Sequence, residues 1–123
     1  MASKRRVLLA DDDPNLLRLI STTLGTGDFD LLQALDGQEA LEVAQRERPD
    51  LILLDINMPL LDGFQVCEQL KQDPQTAAIK VVMLSARGSD ADRARGRACG
   101  ADDYFVKPFS PIQLLNKVYA LLE

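Results

Sequence analysis

Short apolar runs alternate with longer amphipathic stretches along the whole chain. The apolar runs cover residues 7–10, 29–34, 51–54, 81–84 and 104–106. Each run has the length of a buried strand, and each stretch between two runs is long enough for a helix. This alternation predicts an α/β fold, with a parallel sheet that helices cover on both faces.

Capping residues mark the predicted ends of the helices. Asp13 precedes Pro14, which suits the first position of a helix, and Gly25 is placed to end that helix. Asp36 and Glu39 have the spacing of a capping box at the start of the second helix. The third helix is predicted to end near Asp73 and Pro74, and the fourth to span about residues 89–99. The fifth is predicted to start at Ser110 and Pro111.

The last two helices differ in their apolar residues. In the fifth, one stripe is predicted to face the core, made of Ile112, Leu115, Val118, Tyr119 and Leu122. Leu114 and Leu121 fall outside that stripe and are expected on the surface, where they would support a dimer. The fourth helix has mostly alanine as its apolar residues, and its interior Gly96 costs about 1 kcal/mol relative to alanine. It is predicted to be an element of low stability, either a poorly packed surface helix or a moving one.

Polar residues follow the apolar runs at the points where the strands should end. Asp11 and Asp12 follow the first run, and Asp55 follows the third. If the strand order is 2-1-3-4-5, which is an assumption at this point, the first and third strands are neighbours and the three carboxylates meet. Ser85 follows the fourth run and Lys107 follows the fifth, so both belong to the same edge of the sheet.

Three neighbouring carboxylates repel one another, so either some stay protonated or the cluster binds a cation. Oxygen ligands without histidine or cysteine favour a hard ion, and a site with few carboxylates suits Mg²⁺ better than Ca²⁺. A hydroxyl and an ammonium at the same edge would complete a site for a phosphoryl group. Helix capping is the alternative for the acids at 11–13. It accounts for Asp13, but a cap needs only one of the three.

Composition excludes several other chemistries. The 123 residues contain no histidine, so there is no Ser-His-Asp triad and no metal site with histidine ligands. The length fits one domain, residues 1–123. The net charge of −5 disfavours direct binding of nucleic acid or of an anionic membrane. Two cysteines, no secretory signal and no apolar run of membrane-spanning length lead us to expect a cytoplasmic protein.

Together, these motifs resemble the receiver domain of bacterial two-component response regulators, including the chemotaxis regulators. The matching segments are VLLADDD at 7–13, LILLDINMPLLDG at 51–63, MLSA at 83–86 and DYFVKPF at 103–109. The resemblance extends over essentially the whole chain. It implies a flavodoxin-like, doubly wound (βα)5 fold with a five-stranded parallel sheet of order 2-1-3-4-5.

The resemblance also implies a role for each polar residue at the sheet edge. Asp55 would accept a phosphoryl group from a phosphohistidine on a sensor histidine kinase or a histidine phosphotransfer protein. Lys107 would pair with Asp55 or with a phosphoryl oxygen, and Ser85 would form a hydrogen bond with the phosphoryl group. The Lys107–Pro108 bond is often cis in such proteins. The ligands of Mg²⁺, for which Mn²⁺ can substitute, would be Asp12, Asp55, the backbone carbonyl of Asn57 and, mainly through water, Asp11.

A conformational switch is a further implication of the resemblance. The phosphoryl group would draw the Ser85 hydroxyl towards itself, and the Tyr104 ring would turn into the vacated space. Asn57 and Arg87 would set the lifetime of the phosphorylated state. The readout would be the face formed by helix 4, strand 5 and helix 5, which would contact a downstream effector, an output domain or a second copy of the chain.

Two alternatives to this phosphorelay switch remain open. A haloacid-dehalogenase-like phosphatase also uses an aspartyl nucleophile and Mg²⁺, but it needs a second acid two residues later, where this chain has Asn57. A receiver-like scaffold that is never phosphorylated would have no need to gather repelling carboxylates. We therefore expect a signalling protein rather than a multiple-turnover enzyme. The sequence does not decide whether it acts alone or within a longer regulator.

Overall fold

The computed structural model describes residues 5–25 and 29–122, so residues 1–4, 26–28 and 123 of the predicted domain lie outside the described part. The strands are β1 (Arg5–Ala10), β2 (Phe29–Ala34), β3 (Leu51–Asp55), β4 (Lys80–Ser85) and β5 (Asp103–Val106). The helices are α1 (Pro14–Leu24), α2 (Gly37–Glu47), α3 (Gly63–Gln72), α4 (Asp90–Ala98) and α5 (Pro111–Leu122). Strands and helices alternate as predicted.

The five strands form one parallel sheet of order β2-β1-β3-β4-β5, which confirms the order that the sequence left as an assumption. In the register, Ala10 pairs with Leu54, so the ends of β1 and β3 are level with each other. Asp55 pairs with Leu84, and Ser85 pairs with Val106. The carboxyl ends of β1, β3, β4 and β5 therefore lie along one edge of the sheet.

The sheet separates two apolar cores, and every residue of β3 is buried. Leu8, Ile52 and Phe64 belong to the core on the side of α2 and α3. Leu53 and Val118 belong to the core on the side of α1 and α5. Burial on both faces explains why β3 is a continuous apolar run rather than an alternating one.

The helix caps agree with the sequence in most places. The Asp13 side chain accepts a hydrogen bond from the Asn15 N–H, and Asp36 accepts one from the Glu39 N–H. The Glu39 carboxylate reaches back to the N–H of Leu35, one residue before the cap. At α3, Asp62 and Gln65 form a complete capping box that we did not predict.

Our prediction for the core face of α5 is only partly confirmed: Val118 is buried, and Leu115 and Leu122 pack against the core as predicted. Leu114 is only 2% exposed, whereas Ile112 is 62% exposed. Leu121, which we expected outside the stripe, packs against the same core as Val118. Both sets of apolar residues have helical spacing, so the pattern alone does not determine which stripe the helix turns towards β1 and α1.

The fourth helix packs through little apolar surface, as expected. Gly96 is its one buried residue. Two of its arginines cover aromatic rings. The Arg93 guanidinium lies 5.3 Å from the ring centroid of Tyr104, and the Arg95 guanidinium lies 4.2 Å from the ring centroid of Phe64. Within the described residues, no helix combines the length and apolar character that crossing a membrane requires.

Candidate functional site

Three carboxylates meet where β1 and β3 end. One oxygen each of Asp11, Asp12 and Asp55 lies within 4.8 Å of the other two. Asp11 and Asp55 are only 1% and 4% exposed, while Asp12 is exposed. Buried carboxylates at this separation need positive charge between or beside them. The set, made of oxygen ligands alone, fits a hard divalent cation.

The Lys107 ammonium group lies against the two buried carboxylates. It is 2.9 Å from Asp11 Oδ2 and 3.4 Å from Asp55 Oδ1. The Lys107 backbone N–H donates to the carbonyl of Ser85 at 2.7 Å, and the Lys107–Pro108 peptide bond is cis. The predicted neighbourhood of Lys107 and Asp55 is therefore present, although the shorter contact is with Asp11.

The charges of this cluster shift two pKa values. Burial, together with the charge of Asp11, raises the pKa of the Asp55 carboxyl group above its ordinary value of 3.8, although the Lys107 ammonium opposes that shift. Burial lowers the pKa of Lys107. The hydrogen bond with Asp11 and the charges of Asp11 and Asp55 outweigh that effect, so the pKa is raised overall. Lys107 therefore remains a cation at neutral pH.

The loop after β3 holds Asn57 next to Asp55. The Asn57 backbone N–H is 3.3 Å from Asp55 Oδ1. The Gly63 N–H donates to the Ile56 carbonyl at 2.9 Å, which ties the end of the loop back to its beginning. A Cβ atom on Gly63 would lie 2.7 Å from the Asp55 carbonyl oxygen, so this close return requires glycine.

The same loop contains a γ-turn centred on Leu60. The Leu61 N–H donates to the Pro59 carbonyl at 2.9 Å, and the φ of Leu60 is +72°. This kind of turn is rare, and a left-handed conformation costs a non-glycine residue about 1–2 kcal/mol. Gly37 of α2 packs against the turn so closely that a Cβ atom there would lie 1.8 Å from the Leu61 carbonyl oxygen.

Ser85 and Tyr104 are joined through the backbone of Arg87. The Ser85 hydroxyl accepts a hydrogen bond from the Arg87 N–H at 2.9 Å, and the Tyr104 hydroxyl donates to the Arg87 carbonyl at 2.6 Å. In the described part of the chain, the Ser85 side chain makes no hydrogen bond with Asp55 or Lys107. Two predicted switch residues are thus each hydrogen-bonded to one predicted modulator.

A shallow apolar groove lies beside the carboxylates. Its volume is about 440 Å³, and it is lined by Asp13, Leu16, Leu19, Ala86, Lys107, Pro108 and Phe109. Because Lys107 belongs both to this groove and to the acidic cluster, the groove is continuous with the site.

The residues that sequence reasoning missed here are Gly37 and Leu60. The importance of Gly37 depends on a contact with a loop more than twenty residues away, which no local pattern records. Leucine gives no sign of a left-handed turn, because that conformation is normally marked by glycine or asparagine. The Pro59 to Gly63 segment did indicate a loop, and only its internal geometry was hidden.

Comparisons with known proteins agree with the fold. The sequence profile of the response regulator receiver domain matches residues 7–119. The chain is 44% identical over 117 residues to the DNA-binding dual master transcriptional regulator RpaA of Synechocystis, covering 95% of this chain and 48% of that protein. It is 42% identical over 120 residues to the probable transcriptional regulator ycf27 of Cyanophora paradoxa, covering 98% and 49%. The chain thus spans about half the length of these relatives.

Solved structures show the same similarity. The chemotaxis response regulator CheY4 of Vibrio cholerae superimposes with a TM-score of 0.90 at 33% identity, covering 98% of this chain and 100% of that one. A receiver domain of a Francisella response regulator superimposes with a TM-score of 0.90 at 35% identity, covering 97% of each chain.

Proposed function

The chain belongs to the response regulator receiver domains, and we propose that Asp55 is the residue that accepts the phosphoryl group. The observation that carries this proposal is the meeting of Asp11, Asp12, Asp55 and Lys107 at one edge of the sheet. Asp55 is the last residue of the central strand and is buried from all but a small opening, so its carboxylate is held in place before any donor arrives.

The proposed reaction is a direct transfer from a phosphohistidine. A carboxylate oxygen of Asp55 attacks the phosphorus atom, an O–P bond forms, the N–P bond breaks, and the histidine nitrogen leaves with the bonding electron pair. The Lys107 ammonium, now shared by Asp11 and Asp55, stabilises the negative charge on the phosphoryl oxygens. No general acid acts on Asp55, since it reacts as the carboxylate.

The acidic cluster is the proposed site for Mg²⁺, with Mn²⁺ as a substitute. The ligands would be Asp12, Asp55, the backbone carbonyl of Asn57 and, mainly through water, Asp11. When bound, the ion neutralises charge on the phosphoryl oxygens and holds them beside the nucleophile. The protein's part is to keep the carboxylates close enough to share one ion, as their mutual separations within 4.8 Å allow.

The proposed switch passes through Arg87. If the Ser85 hydroxyl turns to the phosphoryl group, the Arg87 N–H loses its acceptor, and the Arg87 carbonyl that holds the Tyr104 hydroxyl moves with it. Tyr104 packs against Gly96 of α4. The change would therefore reach the face made by α4, β5 and α5, where an effector, an output domain or a second copy of the chain is proposed to bind. Asn57 and Arg87 are the proposed determinants of phosphoryl lifetime.

The proposed phosphodonor is a sensor histidine kinase or a histidine phosphotransfer protein, which the groove at Leu16, Leu19 and Phe109 would help to seat. Relatives of about twice this length are named transcriptional regulators, one of them DNA-binding. We propose that this segment regulates such an output without contacting nucleic acid itself, because its net charge is −5. A cytoplasmic location is part of the same proposal.

The phosphatase alternative is not favoured, because the exposed Asn57 offers an amide where a haloacid-dehalogenase-like enzyme needs a general acid. The pure scaffold is not favoured either. Two carboxylates buried beside each other destabilise a protein that never uses them.

The test uses the protein with Mg²⁺ and acetyl phosphate. The intact mass should increase by one phosphoryl group, the adduct should be removed by hydroxylamine, and it should be absent from Asp55→Asn and from wild type in EDTA. A wild-type protein that forms no adduct, or an adduct that persists in Asp55→Asn, would contradict the assignment of Asp55.

A further inference from the structure

Leu60 is the most exposed large apolar side chain among the described residues. It is 76% exposed, more than Ile112, Leu35 or Leu19. A single exposed leucine is ordinary on a protein surface, so exposure alone assigns it no role. Two further features of Leu60, its backbone conformation and its place in the loop that begins at Asp55, give the exposure a meaning.

The first feature is the conformation of Leu60. It occupies the centre of a γ-turn and has a φ of +72°. Glycine or asparagine would adopt this backbone conformation at a lower steric cost. The turn is held from two sides: the Gly37 N–H donates to the Pro59 carbonyl at 3.1 Å, and the Leu61 N–H donates to the same carbonyl at 2.9 Å. Strained residues persist where the surroundings fix them and are concentrated at functional sites.

The second feature is the position of the turn relative to the nucleophile. The loop that carries Leu60 begins at Asp55, and the backbone of Asn57 contacts the Asp55 carboxylate. Asp55 is only 4% exposed, so a donor protein must place its phosphorylated side chain into a small opening and cover the surrounding rim. Apolar surface is therefore exposed at Leu60, in the loop that follows the nucleophile, and in the groove that includes Lys107.

We propose that Leu60 is an apolar anchor for the protein that donates the phosphoryl group, and that it contributes to the choice of donor. This inference rests on the proposed function of Asp55. The occupant is the surface of a phosphohistidine-bearing protein that presents an apolar side chain or pocket next to its histidine. The rigid turn presents the leucine in one orientation before binding, which reduces the ordering cost of association.

Three variants separate the side chain from the turn. Leu60→Gly and Leu60→Asn remove the apolar side chain and introduce a residue that tolerates the left-handed backbone conformation. Leu60→Met keeps an apolar side chain of similar size. Thermal unfolding of each variant establishes that it is folded before any transfer is measured.

The donors are acetyl phosphate and the source organism's own histidine kinases, each autophosphorylated and mixed with the wild-type protein at short times. The kinase with the fastest transfer is then used for all variants. We expect Leu60→Gly and Leu60→Asn to lower kcat/KM for that kinase by about tenfold, mainly through KM, as for an interface anchor. Leu60→Met should stay within about twofold, and all three should match wild type with acetyl phosphate.

The two donors distinguish a failure of this inference from a failure of the proposed function. Equal kinase rates for wild type and Leu60→Gly would overturn the anchor, and so would a loss of the acetyl phosphate reaction, because Leu60 would then act on the chemistry. If acetyl phosphate modifies Asp55 but no kinase does, the docking proposal fails alone. If neither donor modifies Asp55, the proposed function fails as well.

Discussion

Asp55 occupies a position that is unfavourable for a carboxylate in the absence of a cation. It follows four buried apolar residues, lies beside the buried Asp11, and shares Lys107 with it. Burial, the largest cause, and the neighbouring charge of Asp11 raise the pKa of Asp55, and the one ammonium group shared by two carboxylates does not offset them. The site therefore reduces the stability of the protein in order to hold a reactive group.

Removing the charge of Asp55 should stabilise the metal-free protein. In EDTA at pH 7, we expect Asp55→Asn to raise Tm by about 4 °C, which corresponds to about 1 kcal/mol for a domain of this size. The pKa of Asp55 is higher in the folded state than its ordinary 3.8. The folded state thus binds more protons, and stability falls as pH rises from 3.8 through the folded pKa.

Thermal unfolding from pH 3 to pH 8 checks both statements. The advantage of Asp55→Asn should be present at neutral pH and vanish near pH 3, where the carboxyl group is protonated in both states. An Asn variant that is less stable than wild type at pH 7 would show that the Lys107 contact outweighs burial and the charge of Asp11.

A second stability test concerns the backbone strain at Leu60 rather than a charge. Leu60→Gly should raise the free energy of unfolding by about 0.5–1 kcal/mol, because glycine adopts a positive φ without the steric cost that leucine bears. Little burial is lost, since the side chain is exposed. Leu60→Ala is the matched control: it shortens the side chain but keeps the steric cost, so it should show no gain in urea unfolding. An equal gain in both variants would contradict the strain.

Residue roles were only partly predictable from the sequence. Asp11, Asp12, Asp55, Ser85 and Lys107 could be named because each follows an apolar run, and parallel strands end at a common edge. Their partners could not be named. Lys107 lies 2.9 Å from Asp11 and 3.4 Å from Asp55, and so small a difference follows from packing and not from sequence spacing.

At the scale of elements, α4 is joined to β5 by a contact that helix propensity does not describe. Gly96 weakens the helix, but a Cβ atom there would lie 3.2 Å from Tyr104 Cδ2. The ring is held on other sides by the Arg87 carbonyl and the Arg93 guanidinium. The glycine therefore makes room for Tyr104, the residue of the proposed switch.

A double-mutant cycle tests this contact. With Tyr104 present, Gly96→Ala should bring none of the gain of about 1 kcal/mol that propensity predicts, because the ring must shift. In a Tyr104→Ala background, the same substitution should bring that gain in full. Chemical unfolding of the four proteins gives the coupling. Equal effects of Gly96→Ala in the two backgrounds would show that the contact is not restrictive.

Elements were easier to predict than their orientation. All five strands, four of the five helix starts and the weak fourth helix follow from apolar periodicity and capping residues. The core face of α5 followed only in part, because its large apolar residues form two adjacent stripes. Only the contact with the sheet and α1 turns Leu114 towards the core beside Val118.

At the scale of the whole molecule, the site and the core are one structure. Asp11 follows β1 and Asp55 ends β3, and residues of both strands belong to the cores on the two sides of the sheet. These strands separate only when the sheet unfolds, so a cation that binds the carboxylates should stabilise the entire domain rather than one loop.

Magnesium should therefore raise the global stability. At a concentration of about 100 times its Kd, Mg²⁺ should add about 2.7 kcal/mol to the free energy of unfolding of the wild type. Asp12→Asn should lose most of this gain, since it removes a ligand without disturbing a buried group. Urea unfolding with and without Mg²⁺ measures it. A wild-type protein unaffected by Mg²⁺ would contradict the proposed metal site.

The proposed function depends most on a single phosphoryl site built from five residues, in segments that are distant in sequence. The most direct measurement is a crystal structure of the protein with Mg²⁺ and beryllium fluoride, a phosphoryl mimic. We predict beryllium bound to an oxygen of Asp55, Mg²⁺ held by Asp12, Asp55 and the Asn57 carbonyl, and fluorine atoms contacted by Lys107 and Ser85. Asp55 without beryllium, or Lys107 still 2.9 Å from Asp11 with no contact to fluorine, would contradict it.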